Sequence, residues 1–321
     1  MKWIAGASNQ DLLSIEDLAG LYTLAGVHCL DLAADPAVVA AARRGVAWAL
    51  AHGASEPWIM LSLSDGEDPH FRKAWFDPLR CPEGCSRPCE RVCPAQAIGS
   101  NASGSAGVQE DRCYGCGRCL PACPLGLIQE RGQVLPADAV PRLVQGLRPD
   151  AIELHTQSGR QLAFVQRLEQ LRASGLHFRR LAVSAGADVS VPELWERFAA
   201  LRHFGHVPIW QLDGRPMSGD VGHGTAHAAV KLLDRRRCWM PPGPLQLAGG
   251  TNGNSLPLLR HHPQLSRSCA GVAFGGVARR RLQPLLQQAQ QAGRPLLEDV
   301  DLREEGLAMA RSLVRPWLER T

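Results

Sequence analysis

Eight of the eleven cysteines of this 321-residue chain lie in two short runs. The first run, CPEGCSRPCERVCP, begins at Cys81, and the second, CYGCGRCLPACP, begins at Cys113. Closely spaced cysteines in a chain without signs of secretion are typical of metal ligands rather than of disulfides. The chemistry that these residues can do is therefore the binding of metal ions or iron–sulfur clusters.

The spacing within the runs favours iron–sulfur clusters. The second run is C-x2-C-x2-C-x3-C-P, the bacterial ferredoxin pattern, in which three thiolates hold one cluster and the fourth ligates the other cluster. The first run is C-x3-C-x3-C-x3-C-P, which leaves its cluster type open, although we expect two 4Fe–4S clusters. The expected ligands of one cluster are Cys113, Cys116, Cys119 and Cys93. Those of the other cluster are Cys81, Cys85, Cys89 and Cys123.

Two other kinds of metal site fit the spacing less well. Structural zinc sites commonly use paired C-x2-C knuckles, whereas each run here has four cysteines and ends in Cys-Pro. A radical-SAM site needs C-x3-C-x2-C, and the first run differs from that by one residue. Between the runs, residues 97–98 and 107–109 flank a Gly/Ser-rich turn and predict a short β hairpin. The remaining thiols, Cys29, Cys238 and Cys269, lie in or beside apolar segments and are expected to be buried.

Outside residues 80–135, short β-rich runs alternate with segments of helical periodicity, which is typical of parallel strands joined by helices. Helices are predicted at 14–26, 35–52, 161–174 and 192–204. The eight predicted strands are WIAGAS, CLDLA, WIMLSLS, AIELHT, RLAVSAG, PIWQLDG, LQLAGG and GVAFGG. Without the cysteine segment about 260 residues remain, close to the roughly 250 of a (βα)8 barrel.

The predicted fold is therefore α/β: a (βα)8 TIM-type barrel with a two-cluster bacterial ferredoxin-like module inserted in the loop after strand 3. Residues 1–79 are expected to form the first three βα units, residues 80–135 the iron–sulfur insertion, and residues 136–321 the remainder of the barrel plus a C-terminal helix. Because βα loops emerge where barrel enzymes build their sites, the clusters should lie above the barrel mouth.

Three further loops on that face are rich in glycine. The loops AGGTNGNS and FGGVARR follow strands 7 and 8, where this fold often holds a phosphate group, and the loop after strand 6 is DGRPMSGDVGHGTAH. Together they predict a cradle for a flavin or another phosphorylated ligand. The alternative is that the glycines only permit tight turns. The candidate cofactor-binding residues are Gly249, Gly250, Thr251, Asn252, Gly275, Gly276, Arg279 and Arg215. The loop after strand 6 adds Asp213, Ser218, Gly219 and Asp220.

Polar residues within apolar strands are candidates for acid/base chemistry. Glu153 and His155 lie two apart in AIELHT, so strand alternation points both to one side. As a pair they would suit proton transfer coupled to reduction; a structural hydrogen bond is an equal alternative, and the catalytic residues are otherwise unknown. His223 and His227 lie four apart near a helix start without a third ligand, so we expect no metal there.

The composition limits the partners and the compartment. The formal net charge is +4, and no basic stripe with interleaved aromatic residues occurs, so no nucleic-acid partner is expected. No window approaches the roughly 20 apolar residues of a membrane span, and the first apolar segment lacks the layout of a signal peptide. We expect no membrane span and a cytoplasmic location.

Seven segments together resemble the cyanobacterial light-dependent period (LdpA) family: GASNQDL, YTLAGVHCLDLAADPAVVAAA, the two cysteine runs, QLDGRPMSGDVGHGT, LAGGTNG and GVAFGGVAR. The resemblance covers nearly the whole chain. It implies all eight clustered cysteines as ligands, and an iron–sulfur protein that reports cellular redox or light state to the circadian clock. It also implies association with clock-input proteins such as CikA and KaiA.

The resemblance and the motifs leave two functions open. The first is a redox sensor that exchanges electrons with a donor such as ferredoxin or the quinone pool. The second is a ferredoxin-fed oxidoreductase with a flavin or another phosphorylated ligand in the barrel mouth.

Overall fold

The computed structural model describes residues 1–93, 95–100, 106–132, 134–215 and 222–320. The strands in the described residues are β1 (Lys2–Gly6), β2 (Cys29–Ala33), β3 (Trp58–Ser64), β4 (Arg72–Trp75), β5 (Ile98–Ser100), β6 (Ala106–Val108), β7 (Gln129–Gly132), β8 (Ala151–His155), β9 (Arg180–Ser184), β10 (Ile209–Asp213), β11 (Leu245–Ala248) and β12 (Cys269–Phe274).

The helices in the same residues are α1 (Leu12–Leu24), α2 (Pro36–Ala51), α3 (Pro88–Val92), α4 (Cys119–Ala122), α5 (Ala139–Leu147), α6 (Gln161–Ala173), α7 (Val191–His203), α8 (Ala226–Arg236), α9 (Ser255–Arg260), α10 (Pro263–Ser268), α11 (Gly276–Gln291) and α12 (Val300–Leu318). None of these described helices is both long and apolar enough to cross a membrane.

Eight of the strands close into a parallel barrel in the order β1-β2-β3-β8-β9-β10-β11-β12. The (βα)8 prediction is therefore confirmed, and the predicted strands are observed with shifts of only a few residues at their ends. Strand β3 pairs with β8, so Ser62 lies opposite Glu153 and Ser64 lies opposite His155. The chain leaves the barrel after β3 and returns next to it, so the cysteine segment occupies a βα loop at the carboxyl end of the strands.

The helices cover the barrel because their apolar residues face the strands. Helix α2 begins where the Asp35 side chain accepts hydrogen bonds from Ala37 N at 2.8 Å and Val38 N at 3.1 Å, with Pro36 in the first turn. Helix α12 is the predicted C-terminal helix, and it packs on α1 and α11 through buried residues that include Leu313 and Trp317. These contacts form one large apolar core.

The cysteine segment has its own small core and two two-stranded antiparallel sheets. Strands β5 and β6 form the predicted hairpin between the two cysteine runs. Strands β4 and β7, at the two ends of the segment, form a second antiparallel pair, which the sequence does not predict. Strand β4 lies within residues 1–79, so the folded unit that contains the cysteines begins before Cys81, the first cysteine of the two runs. Phe76, Ile98 and Ile128 pack with several cysteines in the core of the insertion.

Candidate functional site

The clustered cysteines form two spatial groups. A small gap of about 20 Å³ is lined by Cys93, Cys113, Cys116 and Cys119, here called the proximal group. In the other group, Cys123 lies close enough to Cys81 and Cys89 for its charge to act on both thiols, and Cys85 acts on Cys81 in the same way. We call Cys81, Cys85, Cys89 and Cys123 the distal group. These are the two sets that the crossing rule of two-cluster ferredoxins gives.

Backbone N–H groups point at several of these sulfurs. Ala74 N donates to Cys113 Sγ at 3.3 Å, and Ala97 N donates to Cys93 Sγ at 3.2 Å. For Cys123, burial opposes the thiolate, but the N–H groups of residues 125–128 lower the pKa of the thiol below its usual value. Because thiolates rather than thiols bind metal, these donors favour the ligating form.

Among the described residues, no three sulfurs lie as close together as a single zinc ion would hold them. A tetrahedral zinc ion with Zn–S bonds of about 2.3 Å holds its sulfurs roughly 3.8 Å apart. In the described part of the chain, three side chains have ligand atoms within 4.8 Å of one another. These are Asp68, His70 and His155, and none of them is a cysteine. A multi-iron cluster gives each thiolate its own iron atom and therefore suits sulfurs that lie farther apart.

The proximal group lies against the barrel mouth. A cavity of about 110 Å³ at the carboxyl end of the strands is lined by Cys116, Tyr114 and Arg118 of the insertion together with barrel residues. This volume is several times what one water molecule needs. The insertion thus forms part of the wall of the barrel cavity.

Three contacts fix the insertion to the barrel. Gln10 N donates to the carbonyl oxygen of Asp111 at 2.9 Å, and the Lys73 ammonium donates to the Gln10 side chain. The Arg279 guanidinium stacks over the Tyr114 ring with 5.2 Å between the guanidinium carbon and the ring centroid. The expected position of the clusters above the barrel mouth thus agrees with the placement of their candidate ligands.

Most of the candidate phosphate-binding residues line the same cavity. Those in its wall are Gly249, Gly250, Thr251, Gly275, Gly276, Arg215 and Arg279. Asn252 does not line it; the Asn252 amide instead holds its own loop, donating to Thr225 Oγ1 at 3.1 Å and accepting from Asn254 N at 2.8 Å. Ser218, Gly219 and Asp220 lie outside the described residues, as does the His223 side chain, and His227 is exposed on α8.

The glycines of the seventh loop are also required by the turn. Gly249 has a φ of +52°, and a Cβ there would lie 2.5 Å from the carbonyl oxygen of Arg215. Arg279 is buried, its Nη2 donates to Ala5 O at 3.1 Å, and burial lowers its pKa. Turn geometry therefore explains Gly249, while Gly276, the first residue of α11, lines the cavity.

Glu153 and His155 both line the cavity and are hydrogen-bonded, with 3.1 Å between His155 Nε2 and Glu153 Oε1. Glu153 also accepts from the Lys2 ammonium and from the Gln211 amide. Burial opposes its charge, but Lys2 and His155 hold the pKa of Glu153 well below its usual range. Burial lowers the pKa of His155, and the Glu153 carboxylate outweighs this and raises it to about 9. Glu153 is thus a fixed anion that orients His155.

Several residues of this site are absent from the sequence predictions. Lys2 is buried inside the barrel, where its ammonium donates to Asp31 Oδ2 at 2.7 Å, and Asp68 and His70 lie beside His155. The scarcity of lysine, with Lys2 directly before an apolar strand, was the one available indication. The structure also corrects the prediction for Cys238, which is exposed, whereas Cys29 and Cys269 are buried.

Comparisons with known proteins assign iron–sulfur binding to the cysteine segment. Residues 81–134 match the LdpA Fe-S cluster-binding domain, and residues 143–316 match the Light dependent period A C-terminal domain. The chain is 47% identical over 322 residues to "Light dependent period A" of Synechococcus elongatus, covering 98% of this chain and 90% of that protein. The insertion is similar to an uncharacterized ferredoxin of Methanocaldococcus jannaschii, with 45% identity over 53 residues that cover 16% of this chain and 31% of that protein.

Proposed function

The chain belongs to the light dependent period A family, and on this basis we propose that it is a redox sensor that relays cellular redox or light state to the circadian clock. Its iron–sulfur cluster-binding domain would hold two 4Fe–4S clusters on the proximal and distal groups. When bound, such clusters supply sites for one-electron exchange. The proposal extends to the partners: clock-input proteins such as CikA and KaiA, and a donor such as ferredoxin or the quinone pool.

The observation that carries this proposal is the different setting of the two cysteine groups. The distal group lies beside exposed apolar residues: the Leu79 side chain is 94% exposed and that of Leu125 is 53% exposed. Exposed apolar side chains at this position can contact a docking protein. The proximal group instead forms part of the wall of the barrel cavity through Cys116. We infer that the distal group exchanges electrons with a donor and that the proximal group influences the barrel.

Two arginines at the barrel mouth would respond to the charge of the proximal group. Arg118 and Arg279 line the cavity beside Cys116, and Arg279 stacks on Tyr114 of the insertion. A change of one negative charge on the proximal group changes the attraction of these guanidinium groups, and the burial of Arg279 strengthens the effect on that residue. The seating of the insertion on the barrel would then differ between the oxidised and reduced protein.

The test compares Cys116→Ala with Cys238→Ala in anaerobically purified protein. Iron and sulfide are measured first, and binding to the clock kinase CikA is then measured with oxidised and with dithionite-reduced protein. We expect iron and sulfide near eight per chain in the parent, a loss of iron in Cys116→Ala, and no loss in Cys238→Ala. Redox-dependent binding should disappear only in Cys116→Ala. Redox-dependent binding that persists in Cys116→Ala would overturn the sensor proposal.

A second function, a ferredoxin-fed oxidoreductase, is supported by one further observation. Cys116 and the start of α11 at Gly275 and Gly276 line the same cavity. Helix N-termini bind anions through their free N–H groups, so a flavin or another phosphorylated ligand would have its phosphate held beside the proximal group.

Substitutions at Gly276 test this second function. Gly276→Glu places a negative charge at the proposed phosphate position, where it does not harm the helix because acidic residues suit a first turn; Gly276→Ala is the neutral control. Small molecules released by acid precipitation are identified by absorbance and mass. A stoichiometric ligand that is lost only in Gly276→Glu supports the enzyme. No ligand, or equal ligand content in all three proteins, contradicts it.

A further inference from the structure

Three metal-ligating side chains meet at the barrel mouth, outside both cysteine groups. Asp68 and His70 lie in the loop after β3, and His155 is the last residue of the neighbouring strand β8. One ligand atom from each lies within 4.8 Å of the other two. His70 Nδ1 is 2.7 Å from Asp68 Oδ1, and His155 Nδ1 is 4.0 Å from the same oxygen. The centroids of the two imidazole rings are 4.7 Å apart.

His155 has a buried nitrogen atom without a hydrogen-bond partner. Its Nε2 is taken by Glu153, and its Nδ1 points toward Asp68 and has no partner within hydrogen-bonding distance. The His155 side chain is only 7% exposed. A buried polar atom without a partner is unfavourable and calls for an explanation such as a bound ion.

We propose that Asp68, His70 and His155 bind a divalent first-row transition metal ion, a function beyond the redox sensing proposed above. Two imidazoles and one carboxylate are a donor set that such ions prefer, and this set leaves further coordination positions open. Metal-ligating histidines usually donate their other N–H to a carboxylate, which fixes the ring. Glu153 makes this contact with His155 and is therefore a positioning residue of the site.

The first two ligands are also held in place before any ion arrives. Asp68 is 6% exposed, its Oδ1 accepts from His70 N at 2.8 Å, and its Oδ2 accepts from the Gln157 amide at 3.2 Å. The His70 side chain is 25% exposed. On binding, the ion would take the place of the proton shared by His70 Nδ1 and Asp68 Oδ1, and protons would be released.

The open positions of the ion would face a ligand in the cavity. His70 and His155 line this cavity, and so do Arg215 and Arg279. An anionic oxygen ligand suits both the positive side chains and an ion that acts as a Lewis acid. The chemical class that the site would take is therefore a small anionic molecule with a carboxylate, phosphate or enolate oxygen.

Zinc is the probe for the test because it has no redox chemistry of its own. Anaerobically purified protein with both clusters in place is dialysed against Zn²⁺ and then against buffer; zinc, iron and sulfide are counted, and the zinc environment is determined by X-ray absorption. The variants are Asp68→Asn and His70→Ala, and the control is His177→Ala, which removes an exposed histidine near the amino end of β9. Circular dichroism verifies that each variant is folded.

We expect one zinc per chain in the parent and in His177→Ala, bound only by nitrogen and oxygen at about 2.0–2.1 Å. Zinc affinity should fall at least roughly 10-fold in both Asp68→Asn and His70→Ala, since even residues that merely support a metal ligand have effects of this size. Zinc bound through sulfur, zinc retained equally by these variants, or no zinc uptake would each overturn the proposal. Iron and sulfide counted in the same samples report separately on the cysteine groups.

Discussion

Replacing Lys2 by methionine tests the charge network inside the barrel. Lys2 is 1% exposed and donates to two carboxylates, Asp31 and Glu153, which are 1% and 0% exposed. Burial alone would lower the pKa of Lys2, but the two carboxylates outweigh it and raise the pKa above its usual value. The ammonium is therefore charged at both pH 5 and pH 8, and in Lys2→Met both carboxylates lose their shared cation.

The expected loss of stability follows from the partners that remain. Removing one member of a buried ion pair costs about 3–5 kcal/mol, compared with about 5–15 kcal/mol for the whole stability of a domain. After the substitution, His155 still faces Glu153, and Ser62 Oγ still donates to Asp31 Oδ1 at 2.7 Å. We therefore expect the lower end of this range, about 3 kcal/mol at pH 8.

The loss should depend on pH. Burial already raises the pKa of Asp31, whereas the pKa of Glu153 is held low. Removing Lys2 raises the folded-state pKa of each carboxyl group. A carboxyl group whose folded pKa exceeds its unfolded pKa adds stability at low pH and loses this contribution as pH rises through the folded pKa. The difference in unfolding free energy between parent and Lys2→Met should thus be smaller at pH 5 than at pH 8.

The assay is anaerobic urea unfolding followed by circular dichroism at both pH values. Lys231→Met is the matched control, because Lys231 is exposed on α8 and should change stability by less than about 0.5 kcal/mol. Adding Asp31→Asn to Lys2→Met removes one of the two unpaired charges and should recover part of the loss. A loss below about 1 kcal/mol at pH 8, or a loss that does not change with pH, would refute the reasoning.

Three further predictions concern the insertion, helix α1 and the free thiol. Gly115 has a φ of +73°, and a Cβ there would lie 2.0 Å from the carbonyl oxygen of Arg72, whereas Gly126 has a φ of +60° and an open surrounding. Both glycine-to-alanine changes should cost about 1 kcal/mol of stability from backbone strain. Gly115→Ala should in addition lower the iron content, and equal iron contents in the two variants would contradict the proposed clash. Burial raises the pKa of Asp17 to about 6, so the stability of the parent relative to Asp17→Asn should fall by up to about 2 kcal/mol as pH rises from 4 to 6; a constant difference in urea unfolding would contradict this. Cys238 is exposed, so mass spectrometry after iodoacetamide treatment of the cluster-containing protein should show one modified cysteine, Cys238, and modification of the clustered cysteines would contradict their role as ligands.

The barrel could be predicted because its strands are buried on both faces. All five residues of β2 and all five of β8 are buried, and most of them are apolar. Short, mainly apolar runs between helical segments are typical of parallel sheets. Strands β4 and β7 have no such pattern: their sequences are RKAW and QERG, and all four residues of β7 are exposed. Their pairing is imposed by the way the insertion folds back on itself, which periodicity does not report.

The candidate site was predictable only within single elements. Strand alternation placed Glu153 and His155 on one side correctly, since both line the cavity. Asp68 and His70 lie in the loop sequence DGEDPHF, which has no periodicity. Their approach to His155 depends on β3 and β8 being neighbours although more than 80 residues separate them in the sequence, and it becomes visible only once the barrel is closed.

The contacts of Glu153 make it a less suitable residue for proton transfer than the sequence indicates. If Glu153 accepted a proton, it would weaken its contacts with both Lys2 and His155, so its low pKa makes it a poor general base at neutral pH. Asp213 lines the same cavity, and burial together with the nearby Glu153 raises its pKa to about 6. A carboxyl group with a pKa this close to neutral both accepts and returns protons. If the barrel catalyses a reduction, Asp213 is therefore a better acid/base candidate than Glu153, whose role is to hold His155 in position.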